Sequence, residues 1–163
     1  MQKITPFLWF DGNAEAAAEF YVSIFKHSKI VSLTRYPEAG QAVHGQLPGT
    51  VMTVTFELEG QSFTALNGGP IFAFNQAVSF VVDCADQDEI DYYWSRLGEG
   101  SNAQAQQYGW LKDRYGLWWQ IVPRKLAELL ADPIADKRNR VMQAILQMKK
   151  IDIAGLQRAF ETE

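Results

Sequence analysis

Apolar and polar positions alternate with two different periods along the chain. Residues 3–10 (KITPFLWF) put Thr5, Phe7 and Trp9 on one side and Leu8 and Phe10 on the other, the two-residue period of a strand. Pro6 places that strand at a sheet edge or an irregular start. Asp11-Gly12-Asn13 is turn chemistry, with Asn13 suited to cap a helix. The period then becomes helical, and AEAAAEFYVSIF aligns Ala17, Phe20, Tyr21, Ile24 and Phe25 on one face. Strands are predicted over 29–36, 51–58 and 62–67. A loop over 37–49 follows the first of these, and a short hairpin at Glu59-Gly60 joins the other two.

The same order then begins again. AVSFVVD over 77–83 reads as a strand, and 87–97 reads as a helix entered through Ala85-Asp86. An offset of about 72 residues lays Asp11 on Asp83, Phe20 on Tyr92, Tyr21 on Tyr93 and Phe25 on Leu97, which argues for a duplicated unit. Polar residues over 101–107 lead to two further strands, around 109–114 and 117–122. On the second, Trp118, Gln120 and Val122 point one way and Trp119 and Ile121 the other.

After Pro123 the pattern becomes wholly helical, over 125–131, 133–149 and 152–160. Asp132 can cap the second of these helices, with Pro133 in its first turn, and Ile134, Val141, Ala144, Ile145 and Met148 form its apolar stripe. This extension is expected to pack on the sheet or on a second subunit. The expected fold is α+β: two βαβββ repeats (about 1–70 and about 76–123) form a curved mixed-sheet cleft, followed by C-terminal helices over about 124–163, all within one domain.

Composition narrows the functional classes. The 163 residues are 47% hydrophobic and 13% aromatic, enough for a packed core. A net charge of -4 argues against a nucleic-acid partner, which requires a basic footprint, and against an anionic membrane surface. One cysteine, Cys84, excludes an internal disulfide and the common zinc clusters. With no signal-peptide pattern and no apolar run of roughly 18 residues, a soluble cytoplasmic protein is expected.

The repeated strand–helix–strand–strand–strand order resembles the vicinal oxygen chelate superfamily of glyoxalase I, bleomycin-resistance proteins and extradiol dioxygenases. More closely, FLWFDGNAEAAAEFYVSIF, ALNGGP, AVSFVVD, GWLKDRYGLWWQIVP and VMQAILQMKKIDIAGL resemble its PhnB-like, 3-demethylubiquinone-9 3-methyltransferase-like subgroup nearly end to end. The resemblance implies a glyoxalase-like fold and a homodimer. In metal-binding relatives four inward-facing residues hold one divalent ion. Carried onto this chain, those positions are Thr5, Ala65 (or Thr64 in a shifted register), Ala77 and Gln120. Such ions require imidazole or carboxylate ligands, and none stands there. No metal is therefore expected, and the glyoxalase and dioxygenase mechanisms, which need the ion as Lewis acid, are not expected either. No cofactor is expected: no GxGxxG loop joins a strand to a helix, and Asn67-Gly68-Gly69-Pro70 reads as a turn.

What remains is a cleft for a small molecule. The expected ligand-binding residues are Trp9, Trp110 and Trp118 as stacking walls, with Asn67, Ser79 and Gln120 as polar groups that orient the ligand. The expected function is metal-independent binding of an apolar or aromatic small molecule. The alternatives are an enzyme of the same superfamily, either a methyltransferase as the subgroup label states or a metal-assisted lyase or dioxygenase, and an interaction role for the C-terminal helices. No catalytic residue is assigned. His27 and His44 read as solvated, Cys84 as a small buried residue, Asp11 and Asp83 as turn or cap residues, and Asp113-Arg114 as local contacts around a turn. Phe72 and Phe74 either cover a pocket or bridge the halves.

Overall fold

A computed structural model describes residues 1–162. The chain divides into two compact units, Met1–Phe74 and residues from Asn75 onward.

In the first unit β1 (Phe7–Phe10), α1 (Ala14–Ile24), β2 (Lys29–Arg35), the single turn α2 (Gln41–His44), β3 (Val51–Leu58) and β4 (Gln61–Asn67) follow in order. The sheet runs β1-β4-β3-β2, parallel between β1 and β4 and antiparallel elsewhere. β1 begins after Pro6 rather than at Lys3, because proline has no N–H to give the ladder. One sheet face is closed by α1, whose Ala14, Ala17 and Ala18 are fully buried and bring the helix close to the sheet. Leu8, Phe10, Val54, Phe56, Phe63 and Ala65 meet it from the strands. The Phe56 and Phe63 rings stack at 5.4 Å. Glu59 and Gly60, both with positive φ (49° and 79°), form the predicted hairpin.

The second unit holds β5 (Phe80–Cys84), α3 (Gln87–Leu97), a 3-10 turn at Ala103–Ala105, β6 (Trp110–Lys112), β7 (Trp118–Pro123), and the helices α4 (Arg124–Leu130), α5 (Ala135–Ile145) and α6 (Ile153–Glu161). Its sheet, β5-β7-β6, repeats the mixed pattern of β1-β4-β3. The α+β class holds, but this repeat is βαββ rather than βαβββ. The counterpart of β2 is missing because GEGSNAQAQQ, over 98–107, offers no β-branched or large apolar residue to pair.

The repeat register also moves. α1 and α3 are each 11 residues long, and aligning them sets Ile24 on Leu97 and Ala17 on Ile90, all four buried. Asp83 lies inside β5, paired with Val122, whereas Asp11 lies in the bend beyond β1, so the two aspartates are not equivalent.

The C-terminal helices pack on the second sheet itself. Leu129, Val141, Ile145, Ile151 and Leu156 form their buried cluster, and Val122 of β7 packs against it. The long helix predicted over 133–149 is shorter, starting at Ala135 with the Asp132 carboxylate accepting the Ile134 N–H at 2.8 Å. Among the described residues no helix is long and apolar enough to cross a membrane.

Candidate functional site

The second sheet has one packed face and one face that the C-terminal helices cover only in part. Leu111, Trp119, Ile121, Val82 and Cys84 are buried on the packed face. The strand period turns Trp118, Gln120 and Val122 of β7 to the opposite face, as the alternation predicts; that face is open at Trp118, whereas Val122 packs under the C-terminal helices. Trp110 lies opposite Gln120 in the ladder, and Lys112 lies opposite Trp118. A cavity of about 710 Å³ opens here, lined by Trp110, Trp118, Tyr108, Lys112 and the amides of Gln76, Gln104 and Gln107. Two of the expected residues, Trp110 and Trp118, are thus brought to one cavity.

Gln120 and Ser79 form a pair of their own. The Gln120 Nε2 donates to Ser79 Oγ at 2.9 Å, which ties β7 to the segment before β5. Gln120 is half-buried between Val81 and Trp110 in the ladder. Neither side chain lines the cavity, so they support its wall from the side.

Trp9 and Asn67 lie in the first unit, each engaged in local structure. The Trp9 Nε1–H donates to the Gly69 carbonyl at 2.8 Å, and its ring meets Phe72 edge-on at 4.9 Å. Asn67 is buried. Its Oδ1 accepts the first helical N–H of α1, at Ala14 (2.9 Å), and its Nδ2 donates to the Val51 carbonyl (3.1 Å). The expected cap, Asn13, makes no side-chain cap bond. Asn67 satisfies the orphan N–H in its place, which is possible because β4 pairs with β1 and brings Asn67 beside Phe10. Phe74 packs on Phe10 at 5.2 Å, so both connector phenylalanines rest on β1.

Two supports fix the cavity wall. The carboxylate of Asp113 is buried, and three N–H groups converge on it: Tyr115 (2.8 Å), Leu117 (3.1 Å) and the Trp119 indole (2.8 Å). It thereby shapes the turn between β6 and β7, as local contacts around a turn were expected to do. At the other end of β6, Tyr108 holds a φ of 55°, a conformation unfavourable for a bulky residue. The C-terminal extension holds it there. The Tyr108 N–H donates to Met148 O at 2.9 Å, and the Gly109 N–H donates to Lys149 O at 2.8 Å. Gly109 (φ 84°) is required at this point, since a Cβ would lie 2.7 Å from Ile151 Cδ1.

The cavity's three glutamines, Tyr108 and Lys112 escaped the sequence reading. Gln104 and Gln107 fall in a polar stretch with no period, and only the aromatic-glycine step at Tyr108-Gly109 before a strand marked the place.

The remaining candidates have ordinary settings. Cys84 is fully buried; burial first, then the Glu89, Asp83 and Asp86 carboxylates, push its thiol up to about 12. Asp83 takes an exposed ion pair with Arg124 at 2.7 Å. His44 ends α2, its Nδ1 accepting the Gln46 N–H at 3.0 Å and its ring lying 4.6 Å from that of Tyr36.

The residues at the positions carried over for a divalent metal do not fit one. Of the four positions carried over for a metal, Ala65 is fully buried on the helix-packed face, Ala77 has no donor, Thr5 is exposed and Gln120 is bonded to Ser79. Among the described residues no three His, Cys, Asp or Glu side chains gather as ligands. The glycines at 68 and 69 form no cradle either. The Trp9 ring fills the space at Gly68, where a Cβ would meet it at 2.3 Å.

These units and sheets define an α+β protein of two small mixed sheets, with a ligand-sized cavity beside β6 and β7. The chain belongs to the 3-demethylubiquinone-9 3-methyltransferase family, whose model matches residues 2–122. A solved structure from Bacillus cereus, described provisionally as a 3-demethylubiquinone-9 3-methyltransferase and PhnB protein, is 37% identical. That likeness covers 75% of this chain and 99% of the other, with a TM-score of 0.61. Protein PA1353 from Pseudomonas aeruginosa, 15% identical, shares the fold at a TM-score of 0.59 over 76% of this chain and 98% of its own. No curated protein is detectably similar. The family match stops just before Pro123, so the α5–α6 connection that holds Tyr108 lies outside it.

Proposed function

We propose that this protein binds a planar apolar or aromatic small molecule, without a metal, as a member of the glyoxalase/bleomycin-resistance superfamily. One observation carries the reading: a cavity of about 710 Å³ has two indoles and a phenol in its wall and amide side chains around them. Cavities of roughly 300–1,000 Å³ with apolar walls and a few polar groups suit drug-sized ligands. In this reading Trp110, Trp118 and Tyr108 supply the stacking surfaces, and the lining glutamines orient the ligand's polar edge. The Ser79–Gln120 hydrogen bond ties β7 to the segment before β5, beside the indoles. Asn67 and Trp9 serve the first unit's own structure. A homodimer belongs to the same proposal, supported by the exposed apolar side chains Phe7, Ile71 and Val81, and light scattering at micromolar concentration tests it.

The ligand test is a titration with naphthamide and related two-ring compounds, followed by tryptophan fluorescence. Saturable quenching is expected, with Trp118→Ala weakening it about tenfold, the worth of one lost stacking surface. If no compound in such a panel binds, or if Trp118→Ala and Trp110→Ala both leave the affinity unchanged, the proposal fails.

The family match favours a second reading, methyl transfer to a quinol-like ring. Calorimetry with S-adenosylmethionine decides it. Stoichiometric binding would support that reading, and no heat is expected of a chain that only binds a ring compound.

A further inference from the structure

Resting on that ligand-binding reading, we propose that the cavity selects planar ligands that carry one negative charge, with Lys112 as the counter-charge. Lys112 is the single ionisable side chain in the cavity wall apart from the Tyr108 phenol. The rest of the lining is amide, indole and alanine, and no carboxylate is among it. Ion pairs among the described residues occupy Lys29, Arg114, Arg124, Lys125, Lys150 and Arg158, but not Lys112. In a chain of net charge -4, one cavity thus excludes acids and keeps one unpaired ammonium.

A second cavity of about 580 Å³ shows the contrast. Its wall includes Asp86, Asp152 and Lys125, each already committed: Asp86 caps α3, Asp152 pairs with Arg158 and Lys125 pairs with Glu128. Of these two walls, the one at Lys112 carries a cation outside any ion pair, whereas Lys125 in the other is paired.

Position gives this charge a direction. Lys112 stands opposite Trp118 in the β6–β7 ladder, so its stem starts beside the indole on the open face. A ring stacked on Trp118 would carry an acidic substituent within reach of the ammonium. The glutamine amides on the same wall can donate further N–H groups to that substituent. An ammonium beside an apolar wall is screened less than one in open water, which strengthens the attraction. A carboxylate, sulfonate or phosphate satisfies the site equally, because an ammonium acts as a point charge.

The test compares naphthoate with naphthamide, nearly isosteric and differing in charge, on the full chain by tryptophan fluorescence. Naphthoate is expected to bind about fivefold more tightly at low salt, with the difference shrinking as salt is raised. Lys112→Gln is expected to abolish the preference while the urea-unfolding midpoint, which reports an intact fold, is unchanged. Lys112→Arg is expected to restore the preference. Equal binding of the two probes to the wild type, or a preference that survives Lys112→Gln, would overturn the charge assignment and leave the ring-binding reading standing. Failure of both probes to bind would overturn the ring-binding reading and this inference with it.

Discussion

Replacing Gly109 by alanine tests whether the C-terminal helices are part of the cavity's construction. Gly109 sits at φ 84° with its N–H on Lys149 O. An alanine there pays roughly 1 kcal/mol for the left-handed backbone. Its Cβ would also lie 2.7 Å from Ile151 Cδ1, 3.1 Å from Ile151 Cγ1 and 3.0 Å from the Ile121 carbonyl oxygen. Overpacking of that kind adds about 2 kcal/mol, giving a loss near 3 kcal/mol. Ile151→Val removes the nearest clashing atom and alone costs about 1 kcal/mol, since Ile151 is fully buried. In the double variant the two losses should not add. Removing Cδ1 makes room for the new methyl and recovers about 1 kcal/mol, while the Ile121 carbonyl still crowds it. Urea unfolding of the four proteins measures the cycle. In the same series naphthamide affinity should fall with Gly109→Ala, because Tyr108 moves with its neighbour. Additivity within about 0.5 kcal/mol, or unchanged affinity despite the lost stability, would refute the idea that the extension holds this wall.

Two further outcomes follow from buried groups. Asp113→Asn should cost about 2–4 kcal/mol in urea unfolding: either way round, its NH₂ faces the Trp119 indole N–H or the Tyr115 and Leu117 N–H groups that the carboxylate accepts, and a loss below about 0.5 kcal/mol would contradict this. Burial pushes the Cys84 thiol up from its ordinary value of 9.0 to about 12, so between those values the unfolded chain releases a proton that the native state keeps. Stability should therefore be complete below pH about 9 and fall by up to about 1.4 kcal/mol per pH unit above it, a slope that Cys84→Ala removes. A thiol reagent that labels the native protein as fast as free cysteine would contradict this burial.

What the sequence made legible, and what it hid, divides along the range of the interactions. Both long helices of the repeats, the Glu59-Gly60 hairpin and the outward turn of Trp118 and Gln120 rest on neighbours within a few residues, so the pattern alone located them. β5 slipped because Ala77 and Ser79 alternate as a strand does, yet the ladder with β7 begins only at Phe80. Asn67 shows the limit more sharply. Local chemistry pointed to Asn13 as the cap of α1, and it does stand at the N-cap position. The side chain that satisfies the helix comes from 53 residues away, delivered by a parallel strand pairing that no local period encodes. The cavity has the same origin. Trp110 and Trp118 could be read from two adjacent strands, but Gln104 and Gln107 join them through an Asn102 turn and a bridge to Trp110 that leave no period, and Tyr108 joins where Met148 and Lys149 bond the backbone. A polar stretch with no period is therefore a poor guide to its own role when a distant backbone carbonyl fixes its shape. The strained φ of Tyr108 is the mark of that constraint: a local rule is broken where a distant segment bonds the backbone, and the same place lines the cavity.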